Sequence, residues 1–269
     1  MQSHHGAMGR VITKGRATIG VDEAGSGDAV PIVFLHGVGS DKSVWAPQLA
    51  HFGATRRAVA FDYPGYGDSD PVPDGTTRDD YAVAILGAMD TLDIERAHVC
   101  GLSLGGVIAI ALYALAPTRF ASLILADTFA VHPEGRAIYE RSMAASVDMR
   151  ALAEGRADAL LAQPADASVR SEVIETMAKI DPNAFRIGAE AVWLADQRER
   201  AAAIRVPTLI VCGTEDAVTP PALSEELTHI IPGARYEPIA DAGHLTNLEC
   251  PAEFNTVAKT FIESVETRA

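Results

Sequence analysis

The sequence predicts an α/β protein with a mostly parallel, doubly wound sheet and an inserted helical lid. Short apolar runs alternate with helical patterns along the chain, which is typical of βαβ crossovers. Most of these runs are continuously apolar, as expected for strands buried on both faces of a parallel sheet. The alternation stops between residues 129 and 205 and then resumes, which indicates an insertion.

The predicted elements follow one another in a simple order. An antiparallel hairpin of Val11–Thr13 with Arg16–Ala24 comes first, at one edge of the sheet. The strands that follow are predicted at Pro31–Leu35, Ala58–Phe61, Ala97–Leu102, Ser122–Ala126, Thr208–Cys212 and Ala234–Ile239. Helices are predicted between them at Arg78–Leu92, Leu104–Leu115, Pro220–Ile230 and Pro251–Val265.

We therefore expect a core in two parts, residues 10–128 and 206–266, on either side of a helical lid at 129–205. Glycine and proline punctuate the lid segment, which holds no convincing strand. The alternative, further helices in the same layer as the others, stays open. Residues 1–9 carry no apolar signal-peptide core and are left out of this division.

Length, charge and cysteine content exclude several classes of protein. The 269 residues fit one large domain with an insertion, and an apolar fraction of 48% argues against a disordered chain. A net charge of −14 without any cluster of basic residues argues against nucleic acid and against a membrane surface as partners. Three scattered cysteines indicate neither a disulfide framework nor a zinc site, and we expect a cytoplasmic protein without a cofactor.

The motif Gly101-Leu102-Ser103-Leu104-Gly105 lies between a predicted buried strand and a predicted apolar helix. A G-x-S-x-G pattern in this context is typical of a nucleophile elbow, where a strained turn exposes the serine hydroxyl. The glycines are needed because a Cβ would collide with the neighbouring strand and helix. We predict Ser103 as the nucleophile, with the partial positive charge of the helix N-terminus favouring an oxyanion.

A serine hydroxyl needs a base, and that base needs an orienting carboxylate. Asp216 follows one predicted strand and His244 follows the last one, at the ends where open α/β sheets place their sites. We predict His244 as the base and Asp216 as the orienting acid. Glu215, one residue earlier, and Asp127, which follows another strand, stay open as alternative acids.

The loop His36-Gly37-Val38-Gly39 directly follows the first buried strand. A tetrahedral intermediate requires two N–H donors aimed at its oxygen. We predict the backbone amides of Val38 and Leu104 as those donors. His36 is expected to brace the loop through hydrogen bonds and not to transfer protons.

Taken together, these residues resemble the α/β-hydrolase superfamily over roughly residues 16–265. The matching motifs are residues 36–39, the segment Asp62-Tyr63-Pro64-Gly65-Tyr66-Gly67-Asp68-Ser69, the elbow, residues 213–216 and Gly243-His244. Residues 207–221 and 242–249 are similar to 3-oxoadipate enol-lactonases and related small carboxylesterases, although that group often reads R-G-H-G where residues 64–67 read Pro-Gly-Tyr-Gly. Haloalkane dehalogenases and epoxide hydrolases share the fold but place Asp at the position of Ser103.

Residues and resemblance together favour a cofactor-free serine hydrolase that cleaves carboxylic esters or lactones through an acyl-enzyme. The alternatives are an enol-lactonase proper, or a perhydrolase, acyltransferase or carbon–carbon hydrolase on the same scaffold. A non-enzymatic ligand receptor is the third class. We expect a monomer or homodimer that binds a small molecule.

Substrate contacts are expected from the lid. Its large apolar residues are Phe129, Tyr139, Met143, Met149, Phe185 and Trp193, of which we assign Phe129, Tyr139, Met143 and Trp193 to the pocket. Arg136, Arg141 and Arg186 are the residues that could meet a substrate carboxylate. Because a net charge of −14 slows the approach of an anion, the sequence favours a neutral ester.

Overall fold

The computed structural model describes residues 7–12 and 18–268. Its strands are β1 (Ala7–Ile12), β2 (Thr18–Ala24), β3 (Ile32–Leu35), β4 (Ala58–Phe61), β5 (Ala97–Leu102), β6 (Phe120–Ala126), β7 (Thr208–Gly213) and β8 (Arg235–Ile239). They form one sheet in the order β1-β2-β4-β3-β5-β6-β7-β8. The β1–β2 and β2–β4 pairs are antiparallel and the other pairs are parallel. This confirms the predicted sheet; Thr13, Arg16 and Ala17 of the predicted hairpin lie outside the described residues.

The helices are α1 (Ala46–Phe52), α2 (Arg78–Thr91), α3 (Leu104–Leu115), α4 (Gly135–Ala145), α5 (Met149–Leu160), α6 (Ala167–Met177), α7 (Pro182–Trp193), α8 (Arg198–Ala202), α9 (Pro221–Ile230), α10 (Thr246–Glu249) and α11 (Pro251–Glu266). The predicted helices α2, α3, α9 and α11 have the expected ends to within one residue. The sequence analysis missed α1 and α10, which are too short to show a helical period. Within the described ranges, no helix is both long and apolar enough to cross a bilayer.

The core lies on both faces of the central strands. Every residue of β3, β5 and β6 is buried, which explains their continuous apolar sequences. Helix α3 is buried from Leu104 to Tyr113 and packs on those same strands. A helix that is apolar on all sides has to be enclosed, so α3 is fixed in place directly behind the nucleophile elbow.

Helices α4 to α8 all lie between β6 and β7, in residues 129–205, which we call the helical insert. Its two ends meet at an isolated bridge between Val131 and Asp196. The insert also contacts the core through α2, where the Arg78 side chain donates to the Ala191 carbonyl at 3.1 Å. The insert is therefore attached to the core at several points and not only by its connections to β6 and β7.

A buried polar network holds the loop after β4. The Lys42 ammonium donates to Asp62 Oδ2 at 2.9 Å and to Asp68 Oδ2 at 2.8 Å, and the Lys42 amide donates to Asp62 Oδ1 at 2.8 Å. Burial lowers the pKa of Lys42, but the two carboxylates raise it to a net value well above the ordinary one. Gly67 has a φ of 49°, and a Cβ there would overlap the Asp62 carboxylate. The 62–69 motif thus anchors Lys42 and, through it, the loop that follows β3.

Candidate active site

Ser103 lies at the sharp turn between β5 and α3. Its φ of 54° and ψ of −115° fall in a region that non-glycine residues rarely adopt. The turn is held because the Ser103 amide donates to the Ala126 carbonyl at 2.9 Å and the Thr128 hydroxyl donates to the Ser103 carbonyl at 2.8 Å. A Cβ on Gly101 would overlap the backbone of Gly105, as the glycine pattern predicted.

The structure brings the three predicted residues of the triad into one hydrogen-bonded chain. His244 Nε2 lies 3.0 Å from Ser103 Oγ, and His244 Nδ1 lies 2.9 Å from Asp216 Oδ2. All three side chains are buried. Since an ionised carboxylate only accepts hydrogen bonds, Nδ1 carries the proton toward Asp216, and this leaves the Nε2 lone pair for the serine hydroxyl.

Asp216 is held in its ionised form by its neighbours. The Val218 and Thr219 amides donate to Oδ1 at 2.8 and 2.9 Å, and the Thr219 hydroxyl donates to Oδ2 at 2.6 Å. Burial raises the pKa of Asp216, but the charge of His244 and these hydrogen bonds bring it below the ordinary value. For His244, burial lowers the pKa and Asp216 more than compensates, so the net pKa is raised.

The two alternative acids occupy different positions. Asp127, at the end of β6, is buried and accepts hydrogen bonds from the Gly213 amide at 3.0 Å and the Thr246 hydroxyl at 2.6 Å. Burial and the nearby Asp216 raise the pKa of Asp127 to about 8. Glu215 is exposed. Among the described residues, Asp216 is the one carboxylate that hydrogen-bonds to His244.

One side-chain cluster in the described part of the chain has metal-ligand chemistry. Asp127, Cys212 and Asp216 are buried with their ligand atoms within 4.8 Å of one another. All four carboxylate oxygens already accept hydrogen bonds from protein groups. Burial raises the pKa of Cys212 far above its ordinary value, so the thiol keeps its proton. The donor set is therefore committed to the structure of the site and does not fit a metal ion.

The predicted oxyanion donors are both present beside the nucleophile. Val38 is buried and lines the same pocket as Ser103, and Leu104 follows Ser103 at the start of α3. Neither backbone amide has a hydrogen-bond acceptor among the residues described. Two free N–H groups near Ser103 are the arrangement that an oxyanion at this residue would require.

His36 braces this loop. Its Nδ1 lies 2.8 Å from the Gly37 carbonyl, and the Tyr63 hydroxyl donates to the His36 carbonyl at 3.1 Å. Its ring packs against Tyr63 and Tyr66, with centroid distances of 4.4 and 5.1 Å. Burial lowers the pKa of His36, so the ring is neutral and its contacts are structural.

Glu249 holds the loop that carries His244, a role that the sequence analysis missed. Its Oε1 accepts from the amides of Gly243 and Leu245, at 3.0 and 3.3 Å, on either side of the histidine. Its Oε2 accepts from the Ala162 amide at 2.7 Å, and the His244 amide donates to the Leu160 carbonyl at 2.8 Å. The loop that carries His244 is thereby tied to the end of α5. The sequence signal for this role is Glu249 itself, the last residue of the 242–249 segment.

A pocket opens over Ser103 and His244, and the helical insert supplies much of its wall. Its free volume is about 40 Å³. The large apolar residues that line it are Val38, Val44, Leu160, Val173, Met177, Trp193, Leu245 and Leu248. Of the four apolar lid residues assigned to the pocket, Trp193 lines it. Phe129 stacks behind Trp193 at 5.8 Å between ring centroids, and Tyr139 and Met143 lie outside the pocket lining.

The arginine that reaches this pocket was not among the predicted ones. Arg156, on α5, lines the pocket together with Ser103 and His244. Arg136 is exposed, Arg141 lines a second cavity, and Arg186 donates to the Ser146 hydroxyl at 2.9 Å. A signal for Arg156 exists in the sequence, because Leu152, Arg156 and Leu160 share one face of α5 at a spacing of four residues.

Comparison with known proteins agrees with this architecture. The model of the alpha/beta hydrolase family matches residues 32–257. The chain is 30% identical to 3-oxoadipate enol-lactonase 1 of Acinetobacter baylyi over 256 residues, which covers 93% of this chain and 94% of that one. It is 30% identical over 259 residues to the pimeloyl-[acyl-carrier protein] methyl ester esterase of Neisseria meningitidis, covering 88% and 78%.

The crystal structure of the enol-lactonase from Burkholderia xenovorans is similar throughout, with a TM-score of 0.87 and 30% identity. That match covers 95% of this chain and all of the other. The eight-stranded sheet, the elbow and the family match agree with one another, and the chain belongs to the alpha/beta hydrolase family.

Proposed function

We propose that this protein is a serine hydrolase that cleaves carboxylic esters, lactones included, through an acyl-enzyme. The observation that carries the proposal is the continuous hydrogen-bonded chain from Ser103 through His244 to Asp216. Two relatives of similar length are named as an enol-lactonase and a methyl ester esterase, which supports esters and lactones as the substrate class.

In the first half of the reaction, Ser103 Oγ attacks the carbonyl carbon while His244 Nε2 accepts the hydroxyl proton. The amides of Val38 and Leu104 donate to the oxygen that becomes negative. The ester C–O bond then breaks, and His244 returns its proton to the departing alkoxide. Asp216 keeps the imidazole in the required tautomer and stabilises the imidazolium that forms.

In the second half, water takes the place of the alcohol. His244 accepts a proton from the water as its oxygen attacks the acyl carbon, and the same two amides stabilise the second oxyanion. The bond from the acyl carbon to Ser103 Oγ breaks, and His244 gives the proton to the serine. One ester and one water become one acid and one alcohol, and the enzyme is restored.

The test is active-site labelling with diethyl p-nitrophenyl phosphate, which transfers its phosphoryl group to an activated serine. We expect hydrolysis of p-nitrophenyl acetate to disappear in proportion to labelling, with the label on the peptide that contains Ser103. Ser40 and Ser43 line the same pocket without a histidine partner and serve as internal controls. Full hydrolysis after Ser103 is labelled, or a label confined to another serine, would overturn the proposal.

A further inference from the structure

Arg156 is an unpaired cation in the wall of the proposed active site. It lines the pocket with Ser103 and His244, and it has no hydrogen bond or salt bridge with any described residue. We propose that Arg156 is an anion subsite that binds a carboxylate carried by the substrate, apart from the ester that reacts. This inference rests on the proposed function and assigns its substrate class: an ester or lactone with a free carboxylate.

Arg156 is half-buried in the pocket wall, so its unpaired guanidinium can be reached by a ligand in the pocket. Burial lowers the pKa of Arg156 to about 10, so the guanidinium is still charged at neutral pH. Other arginines of the insert have protein partners: Arg150 binds Glu175 at 2.9 Å and Arg170 binds Asp158 at 3.1 Å. The exposed Arg136 and Arg141 can be hydrated by bulk water, which Arg156 cannot to the same extent.

The surroundings of Arg156 favour an anion from outside the chain. Glu172 lines the same pocket but is exposed and forms no salt bridge with Arg156. The remaining walls are largely apolar, and a charge pair is stronger there than in water. The reacting carbonyl is served by the uncharged amides of Val38 and Leu104, so a carboxylate at Arg156 would be a second group of the substrate.

Arg156 also lines a second, larger cavity. The second cavity has a free volume of about 700 Å³, and Arg156 lines both. The space directly over Ser103, about 40 Å³, has room for only a few non-hydrogen atoms. The part of a substrate beyond its reacting ester must therefore extend beyond this space, and Arg156 lines both it and the larger cavity. Arg141 and Glu134 line the second cavity as well, so Arg156 is not its only charged residue.

This local charge outweighs the net charge from which the sequence favoured a neutral ester. The charge of −14 is spread over the whole molecule, and salt screens exposed charges beyond about 8 Å at physiological ionic strength. Arg156 would act at contact distance in a partly enclosed pocket, where screening is weak. Net charge therefore affects the approach of the substrate, whereas Arg156 affects what is bound.

The experiment compares matched anionic and neutral esters. The monomethyl and dimethyl esters of succinate, glutarate and adipate carry the same reacting group and differ in one carboxylate. We expect the wild type to have the higher kcat/KM for the monomethyl ester at one or more chain lengths. The kcat/KM of each diester is first divided by two, because the diester carries two equivalent ester groups. In Arg156→Met, the ratio of the two kcat/KM values should fall about 10- to 100-fold, the range of a charge-assisted hydrogen bond.

Two further variants separate this effect from a general disturbance of the insert. Arg156→Lys keeps the charge and should retain part of the ratio. Arg136→Met makes the same substitution at an exposed position of the insert and should leave the ratio at the wild-type value. The ratio of the two kcat/KM values in the wild type does not depend on whether a variant folds, so it is a test by itself.

The outcomes distinguish the two proposals. If the wild type hydrolyses neither ester series nor p-nitrophenyl acetate, the proposed function fails. If it hydrolyses the diesters but prefers them to the monoesters at every length, the anion subsite is wrong and the hydrolase proposal survives. The subsite is also wrong if Arg156→Met keeps the wild-type ratio.

Discussion

Asp127 and Asp216 place carboxylate oxygens within 4.8 Å of each other in the interior, yet only Asp216 hydrogen-bonds to His244. One acid of the pair is ionised and the other is protonated, because two negative charges side by side in the interior repel each other at a high cost in free energy. Asp216, with four hydrogen-bond contacts, is the ionised one. Asp127, with its pKa raised to about 8, is the protonated one at neutral pH.

The first prediction concerns the nucleophile and the base. Ser103→Ala and His244→Ala should each lower kcat for p-nitrophenyl acetate by roughly 10⁴- to 10⁶-fold, because the triad acts as a unit. Circular dichroism and thermal unfolding should show a folded protein in both variants. A variant that keeps a tenth of the wild-type kcat would remove that residue from the mechanism.

The second prediction concerns the choice of acid. Asp216→Asn should lower kcat by roughly 10⁴-fold, because an amide can donate to Nδ1 and so stabilise the wrong tautomer of His244. Asp127→Asn and Glu215→Gln should cost far less, since neither side chain hydrogen-bonds to the imidazole. Steady-state rates of the three variants, measured side by side, decide the matter. The assignment of Asp216 is wrong if either of the other two changes is the more damaging.

The third prediction concerns the pH dependence of the rate. His244 must be neutral to accept the serine proton, so kcat/KM should rise with pH and level off. Because Asp216 raises the pKa of His244, the midpoint should lie above the ordinary histidine value of about 6.5. Rates in a series of buffers between about pH 5 and 9 test this. A profile without an acidic limb would contradict a histidine base.

The fourth prediction concerns stability. The pKa of Asp127 is about 8 in the folded protein and near 3.9 in an unfolded chain. Between these values the folded state holds a proton that the unfolded state has lost, so this group makes the protein less stable as the pH rises. Asp127→Asn cannot ionise and retains both hydrogen-bond positions. The variant should therefore be more stable relative to wild type at pH 8 than at pH 5, as measured by the difference between their free energies of unfolding in urea.

An unchanged difference between the two pH values would contradict a raised pKa for Asp127. The comparison has to be made between variant and wild type at each pH, because the other titrating groups then cancel. Glu215→Gln is a suitable control, since this carboxylate is exposed and its loss should add little to the difference.

The fifth prediction concerns Glu249 as a positioning residue. Glu249→Ala should lower kcat by roughly 10²-fold, because it releases the amides on both sides of His244 and a small misplacement of a catalytic group is costly. Glu249→Gln should recover part of the loss, as one of its oxygens remains an acceptor. The exposed Glu253→Ala serves as the control. Unchanged kcat in Glu249→Ala would show that the loop is held by other contacts.

The sequence by itself was sufficient for the sheet, for its main helices and for the position of Ser103 and His244 in the chain. Strands buried on both faces of a parallel sheet are largely apolar, so each one can be recognised from its own sequence without knowing which strands lie beside it. The turn at Ser103 can be recognised because its glycine pattern is local in sequence, although the space that Gly105 leaves is filled by the Leu35 carbonyl of the neighbouring strand β3. His244 could be chosen because it follows the last strand in a glycine-containing loop.

Only the tertiary structure decided which acid faces His244 and which residues of the insert line the pocket over Ser103. Asp127 and Asp216 each follow a strand, and their roles differ because Thr219 and His244 approach one carboxylate and Thr246 approaches the other. In the sequence, apolar residues that form the interior of a helical insert cannot be distinguished from those that line a pocket. Phe129 and Trp193 stack on each other, yet only Trp193 reaches the pocket. Glu249 contacts the Ala162 amide, and Arg156 lines the pocket beside Ser103, only because the insert packs on the core in this way. No local sequence pattern records how the two parts pack.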